Sequence, residues 1–449
     1  MARTVKCDDE KLGIKILDTW AEAIDNVMEE RPDITAFWLL KAFQVKRAQT
    51  VVLPDRKTLP SARLASRLAL ESVTDALEHP DDVVLTSIFL PNELFQAMGL
   101  YPLMAEALAN FVTGAHAEPS FVQAAEQNGV PETYCSFHKV LLGGAFAGVI
   151  EPVRFIANCS VACDANNISF KLLARRFGCP HVYIDVPPEY SEESCSYVAG
   201  QLEALGTQLQ EAYGRALDPD LLVEHVARSQ RTLKNLVRTL PLRPTRFIKN
   251  GMGLEMQHAL AFHALLGTED VEHLSKLMLR DYREADGYDG LNLLWSATAP
   301  FFSSPLQRVL DSNTSQQIVA SDMCFDQVSF EPWAHGPDEP YLAMAERLIK
   351  NAYNGGAERR AEQLRRVAER CDADGCVVFC HWGCKETMGA SQIIRQTLEA
   401  EGRPVLVLDG DGCNRANFPD GQAATRLEAF LEMLEAERAE KPDNDEEVA

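Results

Sequence analysis

Apolar residues recur at helical spacing through most of residues 10–80. The stretches LGIKILDTWAEAIDNVMEE and SARLASRLALESVTDAL both have this spacing, so the segment is predicted to be helical. Continuous apolar runs then begin, and each is followed by another helical stretch. Three of these runs are predicted to be buried strands: VVLTSIFLP at 83–91, RFIANCS at 154–160 and HVYIDVP at 181–187. Strands that alternate with helices indicate a parallel sheet that is covered on both faces.

The same alternation returns after a long helical region. Residues 196–284 are predicted to be helical, with breaks at PLRPTRF and NGMG, and further strands follow at 291–300, 316–324, 375–380 and 403–409. The pattern predicts an α/β protein with two doubly wound parallel-sheet domains, flavodoxin-like or Rossmann-like. The predicted segments are N-terminal helices at 1–80, a first α/β domain at 81–195, a helical region at 196–285, a second α/β domain at 286–434 and an acidic tail at 435–449.

The composition is that of a globular protein, and the charge narrows the range of partners. Of 449 residues, 46% are hydrophobic and 24% are charged, which is enough apolar material for a sizeable core. The formal net charge of −23 argues against nucleic-acid binding. The N-terminus lacks the apolar core of a signal peptide, and no apolar run is long enough to span a bilayer. We therefore expect a cytoplasmic protein without membrane contact, in a compartment that keeps thiols reduced.

Twelve cysteines in such a compartment indicate metal binding or redox chemistry rather than disulfides. Three of them, Cys135, Cys163 and Cys384, come just before predicted helices, and Asp164 is predicted to cap the helix after Cys163. Helix starts in an α/β fold converge at the carboxyl edge of the sheet. The partial positive charge of a helix N-terminus also favours the thiolate that binds metal. Cys413 follows a strand as well, so position alone does not choose among the four.

Two neighbouring segments suggest other metals, but their spacing argues against them. In GCVVFCHWGC, Cys376 and Cys380 share one face of a strand and are predicted to lie in the core. The segment lacks a paired C-x₂-C spacing, which disfavours a local zinc site. The segment DGDGCNRANFPD has the length of a calcium loop, but Asn414 occupies the position that needs glycine. The chain has no G-x-x-x-x-G-K-[ST] loop, so any ATP hydrolysis would belong to another protein.

Longer stretches resemble one known family. They are PNELFQAMGLYP, YCSFHK, ACDANNISF, HVYIDVPPEYSEE, HWGCKETMGASQ and LDGDGCNRANFPDGQAATRLEAFLEML. They resemble the iron–sulfur subunits of 2-hydroxyacyl-CoA dehydratases, which are relatives of the ATP-dependent benzoyl-CoA reductases, from about residue 80 to 435. The resemblance implies that the chain supplies three cysteines to a [4Fe–4S] cluster and leaves one iron without a protein thiolate. The matching residues are Cys135, Cys163 and Cys384, and Cys413 is left out.

The resemblance also implies a reaction and its partners. The family removes water from a 2-hydroxyacyl-CoA thioester, whose C3 hydrogen is hardly acidic. A separate ATP-dependent iron–sulfur activator protein supplies one electron, and the resulting ketyl radical anion releases the hydroxyl group and acidifies C3–H. The cofactor carries the difficult chemistry and the protein supplies position and dryness. The functional unit implied by the resemblance also contains a related second dehydratase subunit.

Other residues of these motifs are candidates for supporting roles around the cysteines. His381 and Lys385 flank Cys384 and are candidates for hydrogen bonds to cluster sulfurs or for contact with an anionic ligand. Glu93 lies in a matching stretch, and a structural role is favoured over a role behind the cluster ligands. The general base is not assigned. A benzoyl-CoA-reductase-type subunit and a non-catalytic cluster-bearing partner subunit are the alternative functions.

Overall fold

A computed structural model describes residues 15, 17–52, 57–311 and 313–440. Residues 1–14, 16 and 53–56 of the predicted N-terminal helical segment therefore lie outside the described residues. So does most of the predicted acidic tail, residues 441–449. None of the described helices combines the length and the apolar character that crossing a bilayer requires.

The described residues form two four-stranded sheets in which every strand pairing is parallel. The strands of the first sheet are β1 Val83–Thr86, β2 Tyr101–Met104, β3 Phe155–Cys159 and β4 His181–Ile184. Those of the second are β5 Leu291–Ser296, β6 Gln316–Ser321, β7 Gly375–His381 and β8 Val405–Gly410. Their orders are β2-β1-β3-β4 and β6-β5-β7-β8, which is the same topology twice. The predicted α/β fold with two parallel-sheet domains is confirmed.

Helices cover both sheets and fill the segments between them. They are α1 17–28, α2 Pro32–Val52, α3 Pro60–Glu78, α4 Glu93–Gln96, α5 Ala105–Gly114, α6 Glu118–Gln127, α7 Ser136–Ala147, α8 Asp164–Phe177, α9 Glu192–Tyr213, α10 Pro219–Thr239, α11 Met252–Ala264, α12 Glu269–Glu284, α13 Ser304–Leu310, α14 Asp322–Phe325, α15 Pro340–Ile349, α16 Ala357–Arg370, α17 Lys385–Glu399 and α18 Asp420–Glu440. Helices α9 to α12 fill the predicted helical region. The last helix continues to Glu440, beyond the predicted start of the tail, and the division into five segments stays a prediction.

The extent of one strand of the first sheet was predicted wrongly, and another strand was not predicted. Only Val83–Thr86 of the predicted strand 83–91 pairs in the sheet, and residues 87–91 leave it after β1. Strand β2 was not predicted, because Pro102 interrupts its short apolar run and proline cannot donate to a ladder. The strand tolerates Pro102 because β2 lies at the sheet edge and pairs with β1 alone.

One large buried cluster contains side chains from both sheets, among them Val84, Ile156, Leu294 and Val378. A second, smaller cluster packs the other face of β5 and β7 against α13 and α18. Strands buried on both faces explain the continuous apolar runs in the sequence, since a half-exposed strand would alternate. The two sheets are therefore joined by shared core packing as well as by the connecting chain.

Helices α6 and α7 approach so closely that a side chain does not fit between them. A Cβ on Gly143 of α7 would lie 1.8 Å from the carbonyl oxygen of Phe121 in α6. Gly200, in the interior of α9, would meet nothing within 4 Å. We expect Gly143→Ala to lower the free energy of unfolding by ~3 kcal/mol, because backbone must move to admit the methyl group.

The matched control is Gly200→Ala, which has the same chemical change in an open site. We expect it to raise the free energy of unfolding by ~0.5–1 kcal/mol, because alanine loses less backbone entropy on folding. Denaturant unfolding of both variants and the parent checks the pair. Equal effects of the two substitutions would contradict the close packing of α6 on α7.

Candidate functional site

The topology places the carboxyl ends of two pairs of strands around one cavity. In the first sheet the chain leaves β1 toward one side and β3 toward the other, and in the second sheet it leaves β5 and β7 in the same way, so a switch point lies between the two central strands of each sheet. Such switch points are where open α/β sheets form crevices. The cavity has a volume of about 110 Å³ and takes lining residues from all four strand ends: Ile88, Phe89, Ala162, Cys163, Ala297, Thr298, His381 and Cys384.

Cys135, Cys163 and Cys384 all line this cavity. Each is the residue directly before the first turn of its helix, respectively α7, α8 and α17, as the sequence predicted. The Cys163 sulfur accepts the N–H of Asn166 at 3.4 Å, so Cys163 itself caps α8. The prediction that Asp164 is the cap was wrong, because Asp164 is already the first helical residue.

One close backbone approach and two left-handed alanines lie beside these thiols. Gly383, at φ +83°, lies so close to the chain before α7 that a Cβ would be 2.7 Å from the backbone nitrogen of Cys135. Ala162 and Ala297 have φ of 62° and 73° and line the cavity after β3 and β5. Left-handed non-glycine residues cost of order 1–3 kcal/mol each and cluster at functional sites. The backbone is therefore held in costly conformations on both sides of the cavity.

The other cysteines named in the sequence analysis do not line the cavity. Cys413 is fully buried, and its sulfur lies 3.1 Å from the Thr113 hydroxyl of α5. Cys376 and Cys380 are buried within β7, in agreement with the prediction that they belong to the core. Its position after a strand made Cys413 a fourth candidate ligand in the sequence. In the structure, the direction of its side chain separates it from the three cysteines that line the cavity.

Burial, rather than the helix N-termini, dominates the protonation of the thiols. It raises the pKa of Cys135 well above that of a free thiol, and the neighbouring Cys384 raises it further. Burial likewise raises the pKa of Cys163. Backbone N–H groups at the starts of the helices do lower the pKa of both thiols, as expected, but burial outweighs them. A positively charged group in the cavity is what would make them thiolates.

The cavity is suited to an extended group rather than to one metal ion. In the part of the chain that the structure describes, no three His, Cys, Asp or Glu side chains are placed to hold a single ion. The three thiols instead line a cavity of about 110 Å³ together with apolar and polar side chains. Four lining residues carry a buried polar atom without a hydrogen-bond partner: Glu106 Oε2, His138 Nδ1, Thr298 Oγ1 and Tyr353 Oη. Thiols with unpaired polar atoms beside them fit an iron–sulfur cluster next to a polar ligand.

Glu106, in the first turn of α5, is a site residue that the sequence analysis missed. Its Oε1 accepts from the Asn166 side chain at 3.4 Å, and burial raises its pKa to about 7. A carboxyl that titrates near neutral pH can take up and release protons. The signal in the sequence was an acidic residue inside the apolar run YPLMAEALANF, directly after the strand that was also missed.

The three charged or polar residues with weaker predictions have different outcomes. His381 is buried and lines the cavity, with Nε2 3.4 Å from the Cys135 sulfur. Lys385 is exposed and does not line it. Glu93 is buried in an ion pair with Arg347 at 2.6 Å and accepts from Ser229 at 2.6 Å, so its role is structural, as favoured.

A buried ionic network supports the second sheet's side of the cavity. Arg360 of α16 contacts Asp322 at 2.7 Å and Glu386 at 2.6 Å, and both Arg360 and Asp322 are almost fully buried. Asp322 in turn accepts from the backbone N–H of Ala297 at 2.8 Å, which holds that left-handed residue. Arg360 also lies 4.4 Å from the ring centroid of Tyr353. One guanidinium thus ties together three elements that line the cavity.

The chain is similar over most of its length to subunits of known acyl-CoA dehydratases and of a benzoyl-CoA reductase. Residues 87–434 match the family model of the 2-hydroxyglutaryl-CoA dehydratase D-component. The (R)-phenyllactyl-CoA dehydratase alpha subunit of Clostridium sporogenes is 22% identical over 81% of this chain and 92% of its own. The alpha subunit of lactoyl-CoA dehydratase from Anaerotignum propionicum is 22% identical over 78% and 90%. One of the benzoyl-CoA reductase subunits of Thauera aromatica is 22% identical over 82% and 92%. The matched range includes all three cavity cysteines.

We expect Arg360→Met to lower the free energy of unfolding by about 3–5 kcal/mol, because it leaves Asp322 buried without its cation. Arg365→Met is the matched control on the same helix: Arg365 has the same side chain, but it is partly exposed and pairs with surface carboxylates. Its loss is expected to cost at most ~1 kcal/mol. Denaturant unfolding measures both, and a cost below ~1 kcal/mol for Arg360→Met would contradict the network.

Proposed function

We propose that this chain, which belongs to the 2-hydroxyglutaryl-CoA dehydratase D-component family, is the [4Fe–4S]-bearing subunit of a 2-hydroxyacyl-CoA dehydratase. The observation that carries the proposal is the convergence of three thiols, from three separate helix starts, on one cavity. Cys135, Cys163 and Cys384 would hold the cluster. When bound, the cluster supplies one-electron chemistry and an iron that no protein thiolate ligates.

The proposed reaction is the loss of water from a 2-hydroxyacyl-CoA by a ketyl-radical mechanism. It requires ATP-driven one-electron activation by a separate iron–sulfur protein, and a related second subunit completes the enzyme. The names of the relatives, which include alpha subunits of two acyl-CoA dehydratases, support the thioester substrate and the second subunit. The chain's own contribution is to bind and orient the thioester, to exclude water and to move protons.

Two properties of the lining residues serve these tasks. Ile88, Phe89, Phe137 and Met323 give the cavity an apolar wall that excludes water. Glu106 is the proton acceptor in this proposal: its Oε2 has no partner, and its pKa of about 7 leaves much of it ionised at neutral pH. The C3 proton of the activated thioester would pass to that oxygen.

A benzoyl-CoA-reductase-type activity is the second candidate, supported by the similarity to the Thauera aromatica protein over most of both chains. The same electron input would then reduce an aromatic ring. Supplying the complete, activated enzyme with lactoyl-CoA and, separately, with benzoyl-CoA distinguishes the two. Water loss from the hydroxyacyl thioester supports the dehydratase, and ring reduction alone supports the reductase.

We expect about four irons and four acid-labile sulfides per chain after anaerobic purification, lost in each of Cys135→Ser, Cys163→Ser and Cys384→Ser. Serine retains the size but not the soft sulfur ligand that iron requires. Cys413→Ser is the matched control, since it makes the same change at a buried thiol that faces Thr113 and does not line the cavity, and it should keep a full cluster. Iron and sulfide analysis checks all four variants. A full cluster in any of the first three would remove that residue from the ligand set.

We expect Glu106→Gln to lower kcat for dehydration by ~10²- to 10⁴-fold, because the amide retains the shape but cannot accept a proton. Activity of the parent should fall as the pH drops below about 7, where Glu106 becomes protonated. The control is the iron content, which should not change. Glu106→Asp keeps a carboxyl and should recover part of the activity. Parent-like turnover in Glu106→Gln would assign the proton transfer elsewhere.

A further inference from the structure

The turn after β8, whose sequence has the length of a calcium loop, is organised by one of its own carboxylates. Asp411 is buried, and its Oδ1 accepts the backbone N–H groups of Cys413 at 2.9 Å and Asn414 at 2.8 Å. Its Oδ2 accepts from the hydroxyl of Ser136, the first residue of α7. Ser136 directly follows Cys135, so this turn of the second sheet is attached to the start of a helix beside the cavity.

The same turn fixes the protonation of His381. The backbone N–H of Gly412 donates to His381 Nδ1 at 2.9 Å, so that nitrogen presents its lone pair and the neutral ring carries its proton on Nε2. Asp411 Oδ1 lies 3.6 Å from Nδ1, which is too far for a hydrogen bond that would compete.

The proton on Nε2 faces the cavity. Nε2 lies 3.4 Å from the sulfur of Cys135, within the range of an N–H···S hydrogen bond. The turn also packs closely on its neighbours, because a Cβ on Gly412 would lie 3.1 Å from the ring of Phe379 and 3.2 Å from the hydroxyl of Thr298. The backbone of this turn therefore lies directly behind the His381 ring, whose other nitrogen faces Cys135.

A second histidine in the cavity lacks this arrangement and provides a comparison. His138 Nε2 lies 3.7 Å from the sulfur of Cys163, but its Nδ1 is buried and has no hydrogen-bond partner. Nothing therefore fixes which of its nitrogens carries the proton. The two residues have the same side chain and comparable burial, and only His381 has a backbone donor behind it.

We propose that His381 is a positioning residue, which the Asp411–Gly412 turn holds as the Nε2–H tautomer. The proposal rests on the function proposed above: His381 donates to the Cys135 sulfur and thereby raises the reduction potential of the cluster. Reduction adds negative charge to the cluster and its sulfurs, and a hydrogen bond to sulfur stabilises the more negative state. The segment that resembles a calcium loop then serves to fix a tautomer.

The tautomer is tested on the cluster-free chain, independently of the proposed function. Nitrogen-15 NMR of histidine-labelled parent protein, with His381→Gln to identify the resonance, should show His381 neutral at pH 7 and protonated on Nε2. An Nδ1–H tautomer or a charged ring would overturn the proposal. Because this measurement needs no iron, failure of the parent to bind a cluster would count against the proposed function and not against the tautomer.

The effect on the cluster is tested by EPR-monitored redox titration of loaded parent and variants with equal iron content. His381→Leu should make reduction about tenfold less favourable, a midpoint potential ~59 mV more negative for one electron. His381→Gln can place an amide N–H near the same sulfur and should stay close to the parent. His138→Leu, the matched control, should shift the potential much less. An unchanged potential in His381→Leu, or equal shifts in both leucine variants, would overturn the proposal.

Discussion

The structure depends on one constraint: the carboxyl ends of two parallel sheets meet at a single cavity. Each sheet has the same strand order, so each contributes one topological switch point. The helices that follow these strands begin beside the cavity. A residue at such a helix start lies between the segment that leads into the helix and the first helical turn, and both fix its position. Cys163 and Cys384 occupy equivalent positions after β3 and β7, and Cys135 reaches the same cavity from α7. The shared core between the sheets keeps these starts in place.

Bringing the strand ends together requires unfavourable local conformations, and buried hydrogen bonds hold them. Ala297 is left-handed, and Asp322 accepts its N–H, while Arg360 neutralises Asp322 from the helix behind. On the other side, Gly383 permits a backbone approach that no larger residue allows. A buried ion pair contributes little net stability by itself, because desolvation offsets most of the attraction. Here the ion pair serves to position the chain: Arg360 holds Asp322, and Asp322 holds the N–H of Ala297 directly after β5.

The sequence predicted the parts of this arrangement that follow from periodicity. Buried strands, helices and cysteines at helix starts were all found from the alternation of apolar runs and helical stretches. The errors arose where tertiary structure decides. Strand β2 carries Pro102, which an edge position tolerates. After β1, Ile88 and Phe89 line the cavity and Leu90 is buried in the core, so these residues are apolar without pairing in the sheet. Side-chain direction cannot be derived from a one-dimensional pattern, so Cys413 was not separable from its rivals and Glu106 was not found. The protonation of the thiols likewise depends on tertiary burial, which outweighs the helix N-terminus.

The distribution of polar atoms around the cavity bears on why three thiols, rather than four, suit the proposed chemistry. The nearest additional candidate, Cys413, has its sulfur against Thr113 and takes no part in the lining. Glu106, Thr298 and Tyr353 line the cavity instead, each with a buried oxygen that lacks a partner. Unpaired buried oxygens are costly, and they become favourable when a polar ligand supplies the missing hydrogen bonds. In the proposed dehydratase, the hydroxyl and carbonyl oxygens of the thioester would be that ligand, because the substrate hydroxyl can donate to the Glu106 carboxylate, whereas a fourth thiolate could only accept.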